Sequence, residues 1–326
     1  MLHVTVVLLT ILAVQGAAVE APIPALALTG EAAEAFLREA EILGLEKYEN
    51  EGITKPRKAT LTDGTLTLHA VFKDVDTLDL KWETPDGRVF LHVTDSYKHE
   101  IAMYELDKLL GLDIVPPTVE RQIGREVGSL QLWVDGSMRE WERKNIRKVS
   151  PPDMEAWNNQ ISTLKVYLQL IWDTDFNNIS NLLVDESWKL WKIDASRAFY
   201  IDRKLRREDS LNRFSRKLLA ALENLDRDEL EKTLKPWLSP RQIKTLGNAA
   251  LAFSSLPMNG WPSSEKGPCS TTDLARINIT HRTSTENDDS QRPAVGATKP
   301  CQMCGSTHPV GAPDKANRRI AVRAPA

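Results

Sequence analysis

Five residues are spaced along this chain so that folding could gather a cation, metal ligands and a base at one point. Asn181 stands immediately before the apolar run 182–184, and Asp194 immediately after the run 190–193, with Asp185-Glu-Ser187 between the runs. The two runs read as a β-hairpin, which brings its ends together. An amide oxygen and a carboxylate would then meet, and they could share a hard cation that prefers oxygen ligands, Mg2+ or Mn2+. Asp175 lies six residues before Asn181 in a polar loop, where it would face an acceptor hydroxyl as base. Singly, Asp, Asn and Ser are ordinary loop formers that bond their own backbone. As a set they point to a metal site.

Two further residues complete the chemistry. His69-Ala-Val-Phe-Lys73 reads as a strand ending in a lysine, and alternation places Val71 and Lys73 on one face. Lys73 alone would be an edge charge. Glu100 falls in the first turn of a helix predicted over 98–110, where it can pair with a sheet lysine, and Glu105 is the competing choice deeper in that helix. A cation on the phosphates, oxygen ligands for a metal and a base for a hydroxyl are what phosphoryl transfer asks of a protein.

The elements that must position these residues come in two kinds. After an Ala- and Pro-rich stretch (19–30), apolar spacing predicts a helix over 31–44 with Gly44 as its C-cap. From 58 to 93, β-prone runs divided by Asp63-Gly64 and Pro85-Asp86-Gly87 predict two hairpins of one antiparallel sheet. The helix over 98–110 is closed by Gly111, and strands follow at 118–123 and 129–134. Beyond Val149 the pattern turns helical: a long helix after Pro151-Pro152-Asp153 to near Trp172, the hairpin, then helices over 211–222, 226–234 and 240–253. The stretch after Leu256 is rich in Ser, Thr, Pro, Gly and charge without periodicity, and is expected to take no fold of its own.

The run Asp173-Thr-Asp175-Phe-Asn-Asn-Ile-Ser-Asn181-Leu-Leu-Val-Asp185, with Ile193-Asp194-Ala-Ser-Arg-Ala-Phe199 after it, resembles the catalytic loop and metal motif of the atypical kinases. That group includes the phosphatidylinositol 3- and 4-kinases, HipA-like bacterial kinases and secretory-pathway kinases related to Golgi casein kinase. Lys98-His-Glu100-Ile-Ala-Met-Tyr104, with Val115-Pro116 beyond it, is similar to the helix that supplies the lysine's glutamate partner. The resemblance implies an α+β, bilobal protein-kinase-like fold. Its N-lobe, an antiparallel sheet with one long helix, would span 45–135, and a mostly helical C-lobe 136–255. It also implies ATP and Mg2+ or Mn2+ as ligands. Lys73 would hold the α- and β-phosphates, Glu100 would orient Lys73, Asp175 would act as base, and Asn181 and Asp194 would bind the metal. The adenine would lie against the connection 132–136, beside Leu132 and Val134. The acceptor hydroxyl could belong to a protein, a lipid or a sugar.

Three departures keep other readings open. The interval from Asp175 to Asn181 is one residue longer than the family's, with Asp173 and Asn178 as stand-ins; Phe176 stands where many relatives have Arg; and the stretch 52–58, placed over the phosphates, holds a single glycine. A nucleotide-binding pseudokinase acting as a binding module is the alternative. An exported protein whose Asp and Asn residues only make turns is the third reading.

The 326 residues suit one bilobal unit plus unstructured ends. A net charge of −3 with 42 basic residues spread along the chain leaves no nucleic-acid footprint. Residues 2–14 are largely apolar and Gly16-Ala-Ala18 are small, so 1–18 reads as a signal peptide, implying a secreted, periplasmic or secretory-lumen protein, with a cytoplasmic one as the alternative. No run is long enough to span a membrane. Cys269, Cys301 and Cys304 all sit in the tail, so none staples the middle of the chain.

Overall fold

The computed structural model describes residues 26–47, 55–84, 87–202, 213–254 and 274–276. The signal-like start, Gly52, Pro85-Asp86 and all three cysteines lie outside them.

The first lobe holds α1 (Gly30–Glu39), β1 (Glu41–Lys47), β2 (Arg57–Thr62), β3 (Thr67–Lys73), β4 (Asp76–Glu83), β5 (Val89–Ser96), α2 (Tyr97–Leu110), β6 (Thr118–Ile123) and β7 (Glu126–Leu132). Five strands form one antiparallel sheet in the order β1-β2-β3-β7-β6. Ala33, Phe36 and Leu37 of α1 join Leu61, Phe72 and Leu130 of the sheet in one apolar core.

The helix expected over 31–44 ends earlier. Its last bond runs from the Ala40 amide to the Phe36 carbonyl, after which Ala40 turns extended. Arg121 of β6 donates to the Leu37 and Ala40 carbonyls at 2.6 and 2.7 Å, satisfying groups that a helix end leaves open. Gly44 is therefore not a cap. It lies in β1 at a register shift against β2, and Ile42 and Leu45 pack on the sheet core.

A second expectation is also corrected. The β4–β5 hairpin is a separate two-stranded ribbon, because β3 already has β2 on one edge and β7 on the other. The ribbon instead turns Trp82 and Phe90, stacked at 5.7 Å, toward the second lobe, where Phe90 meets Trp172 and Tyr200 edge-on.

Helix α2 is capped at both ends, at Gly111 as expected and at Ser96. The Ser96 hydroxyl accepts the Lys98 amide at 3.2 Å, and Gly111, at φ +58°, closes the last turn with its amide on the Lys108 carbonyl. Ten of its residues are buried, including His99, Glu100 and Asp107. A helix buried over most of its surface shows little amphipathic contrast.

The second lobe holds β8 (Met138–Arg139), α3 (Glu140–Glu142) running into a wide turn over Arg143–Arg147, α4 (Met154–Leu170), β9 (Leu182–Val184), β10 (Leu190–Lys192), β11 (Arg213–Ser215), α5 (Arg216–Glu223), α6 (Arg227–Leu234), α7 (Pro240–Ser254) and β12 (Leu274–Arg276). Asp153 caps α4 by accepting the Glu155 and Ala156 amides at 2.9 Å. The expected hairpin β9–β10 is present, with the unforeseen β8 added beside β9. The helix expected from 211 starts at Arg216, because Arg213–Ser215 pairs with Leu274–Arg276. Those three residues of the tail are thus structured, contrary to expectation.

Met103, Leu106 and Leu110 of α2 pack with Leu164, Tyr167, Leu218, Leu230 and Phe253 of the helical lobe in a second core. The fold is α+β and bilobal, an antiparallel sheet lobe joined through α2 to a mostly helical one. Among the described residues, no helix is long and apolar enough to cross a membrane.

Candidate active site

Lys73 ends β3, where it pairs in register with Ser129 of β7. Gly128 makes that approach possible: a Cβ there would collide with the Lys73 carbonyl and stand 2.9 Å from the Phe72 ring. The Lys73 ammonium lies 2.6 Å from Glu100 Oε1 and 2.8 Å from Asp194 Oδ1. Glu100 uses its other oxygen, Oε2, to accept the Ala195 amide at 3.0 Å. Glu105 pairs with Lys108 at 3.0 Å instead. Glu100 is 2% exposed and Asp194 44%, so the cluster opens to solvent on the Asp194 side.

Burial would lower the Lys73 ammonium, but the Asp194 and Glu100 carboxylates outweigh it and hold the lysine above its usual range, charged. Burial raises the Glu100 carboxyl, against the pull of Lys73. For Asp194 desolvation also raises, yet Lys73, with Lys192 and Arg197 behind it, prevails and holds the carboxyl low.

The hairpin closes as its spacing requires: the Ile193 amide donates to the Asn181 carbonyl at 3.0 Å. Asn181 is buried, and its Nδ2 donates to Asp175 Oδ2 at 3.3 Å, while Asn178 Nδ2 donates to the same oxygen at 2.9 Å. The loop ends in the single helical turn Ile179–Asn181, which Asn178 Oδ1 caps by accepting the Ser180 amide. Asp173 Oδ1 accepts the Asp175 amide at 2.8 Å. Asp173 and Asn178 therefore hold the loop's shape. Desolvation raises the Asp175 carboxyl, the Asn178 hydrogen bond opposes it and the Asp173 charge adds to the rise; the net shift is upward, toward a more basic carboxylate.

The sequence reading missed Lys192. This lysine, 2% exposed, lies 2.9 Å from Asp173 Oδ2 and donates to the carbonyls of Ile193 at 2.9 Å and Asp194 at 3.0 Å. Asp194 sits at φ +60°, a left-handed backbone unusual for a residue with a side chain. Lys192 grips the carbonyl of that residue and the start of the 173–178 loop together. The only signal in the sequence was a lysine inside an apolar hairpin strand, which is too common to read.

His99 was also missed. Its Nδ1 donates to the Ser196 carbonyl at 2.8 Å and its Nε2 accepts from Gln242 Nε2 at 3.1 Å, a pairing that assigns the neutral Nδ1–H tautomer. The Ser96 amide donates to the same Ser196 carbonyl at 2.9 Å, and Arg197 pairs with Asp95 at 2.5 Å. The segment after Asp194 is thus tied to the end of β5 and the start of α2. Arg88 of the ribbon lies over the Phe176 ring at 5.2 Å and donates to the Thr174 carbonyl at 3.4 Å, touching both neighbours of Asp175.

Leu132 and Val134 are buried in the sheet-lobe core, and the Trp133 amide between them donates to the His69 carbonyl. Lys47 at the end of β1 pairs with Arg57 at the start of β2, and Arg57 pairs with Phe72, beside Lys73. Among the described residues no group of three His, Cys, Asp or Glu side chains could hold a metal ion. Asn181 and Asp194 offer oxygen ligands of the hard kind, and one or two protein ligands completed by phosphates are what Mg2+ ordinarily takes. The donor set fits such an ion.

No family model and no curated protein matches this chain. Among solved structures it is similar to the crystal structure of the Helicobacter pylori proinflammatory kinase CtkA, at 11% identity and a TM-score of 0.39, covering 67% of this chain and 93% of that one.

Proposed function

We propose that this protein binds ATP with Mg2+ or Mn2+ between its lobes and transfers the γ-phosphoryl group to a hydroxyl acceptor. The observation that carries this reading is the convergence of Lys73, Glu100 and Asp194 from β3, α2 and the end of the β9–β10 hairpin. Lys73, kept charged by two carboxylates, would pair with the α- and β-phosphates, and Glu100 would fix its direction. Asp175, raised in basicity and hydrogen-bonded at Oδ2, would accept the proton of the acceptor hydroxyl as the oxygen attacks phosphorus. Asn181 and Asp194 would hold the ion, whose charge offsets that of the phosphate oxygens.

Thermal unfolding of the full chain with Mn2+, with ATP and with both, beside Asp194→Ala, tests this. A rise in midpoint that needs both ligands and Asp194 supports the site, because only a ligand of the native state stabilises it. No rise in any condition sinks the reading. A rise without transfer of label from γ-labelled ATP leaves the binding-module alternative, favoured by the lengthened Asp175–Asn181 loop.

A further inference from the structure

The β4–β5 ribbon leaves apolar surface uncovered. Leu78 and Leu80 of β4 are 58% and 68% exposed, in one row with the half-buried Trp82, because alternate residues of a strand share a face. Among the described residues β4 pairs with β5 alone, so the backbone groups of its outer edge meet no other described strand. The outer edge of β5 is less open: His92 adopts a left-handed φ of +55° in mid-strand, and Asp95 and Ser96 are buried. An exposed apolar edge such as that of β4 is a template for a further strand.

The residues of β4 indicate which strand would fit. When two copies of one strand pair antiparallel about a two-fold axis, each residue meets one that points to the same side, so the axis must pass at a residue that meets its own copy. The middle of β4 offers Asp79, Leu80 and Lys81 for that place. An axis at Asp79 sets two carboxylates together, and an axis at Lys81 sets two ammonium groups together with Asp79 facing Glu83. An axis at Leu80 pairs Asp79 with Lys81 of the second copy and Lys81 with its Asp79, while on the other face Leu78 meets Trp82, Leu80 meets Leu80 and Trp82 meets Leu78. Opposite charges and apolar groups placed across a strand pair stabilise it, and like charges oppose it. The strand is therefore complementary to itself in charge on one face and in apolar contact on the other. Within its own chain Lys81 reaches Glu83 only at 3.6 Å, with both side chains well exposed, which leaves its ammonium available to a second carboxylate.

We propose that β4 is an interface between two copies of this chain, pairing antiparallel with β4 of the second copy about Leu80 and joining the two ribbons into one sheet in the order β5-β4-β4-β5. A contact one strand wide buries less area than a permanent dimer needs, so the association is weak and depends on concentration. The pairing asks nothing of the nucleotide site and stands apart from the transfer reading above.

Sedimentation velocity of the full chain over about 1–200 μM tests it, and should show a monomer–dimer equilibrium. Asp79→Lys sets lysine against Lys81 twice in each dimer, and Lys81→Asp sets aspartate against Asp79 twice, so each should weaken the dimer about tenfold or more. Combining Asp79→Lys with Lys81→Asp exchanges the partners and should return dimerisation to near the wild-type level. Leu80→Glu, which places two carboxylates on the axis, should abolish it. The thermal midpoint of each variant, taken at a concentration where the wild type is monomeric, should match the wild type, which separates loss of pairing from loss of fold. A wild-type chain that stays monomeric throughout, growth past the dimer, a dimer indifferent to the single reversals, or a doubly reversed chain that stays monomeric overturns the proposal.

Discussion

Glu100 accepts the Ala195 amide with one carboxylate oxygen while its other oxygen holds Lys73, at 3.0 and 2.6 Å. One buried side chain therefore sets the position of the lysine and of the backbone next to Asp194 at once.

Replacing that carboxylate by an amide of the same shape sets a sharp test. In Glu100→Gln one donor must face another, either Lys73 or the Ala195 amide, because the amide group has only one acceptor atom. The expected loss is about 1–3 kcal/mol, read by denaturant unfolding. The ATP–Mn2+ shift should fall further than stability alone explains. A variant with wild-type stability and an unchanged shift would contradict the two-way role.

Lys192 and Asp173 are an ion pair with side chains 2% and 1% exposed. Lys192→Met leaves Asp173 charged and buried, a defect that costs about 3–5 kcal/mol. Adding Asp173→Asn removes the stranded charge but keeps an acceptor for the Asp175 amide, and should recover much of the loss. Additive rather than compensating effects in that double-mutant cycle would show the two residues to be uncoupled.

His99 gives a pH dependence. Burial lowers its imidazole from 6.5 to about 4, against the Ser196 hydrogen bond and the Asp76 carboxylate that raise it; Lys98 lowers it further. A folded-state value below the unfolded one means that the unfolded chain takes up the proton first. The contribution is fully present above about pH 6.5 and falls by about 3 kcal/mol as pH drops to about 4. Asp107 acts in the opposite sense. Burial raises its carboxyl to about 7, against hydrogen bonds from the Val115 and Ile114 amides, so its contribution declines as pH rises from 3.8 to 7. The informative quantity is thus the difference between wild type and His99→Gln, which should shrink steadily from pH 7 to pH 4. A constant difference would refute the assignment.

Gly128→Ala places a Cβ against the Lys73 carbonyl and 2.9 Å from the Phe72 ring, both held in the sheet. Strain of this kind costs about 1–3 kcal/mol. Because the end of β3 must move, ATP–Mn2+ binding should weaken as well. An alanine variant with an unaltered thermal shift would show that Lys73 is positioned by Glu100 and Asp194 alone.

The sequence by itself placed Lys73 at the end of a strand, Glu100 in the first turn of a helix and Asp194 after a hairpin, the positions from which the fold brings these three together. Hairpin spacing was enough to bring Asn181 against Ile193, next to Asp194 in the chain, because that contact is local to one turn. The helix ends at Gly111 and Asp153 were equally legible, since capping groups act within a turn of the helix they end. What only the tertiary structure decided are relations between distant segments. Whether residues 41–47 continue a helix or join a strand depends on β2 being there to pair with them. The β4–β5 ribbon leaves the sheet because β7, some thirty residues further on, has taken the edge of β3. Lys192, His99 and Arg88 looked ordinary because a buried charge, a buried imidazole and a guanidinium over a ring acquire meaning only from partners that the folded chain brings to them.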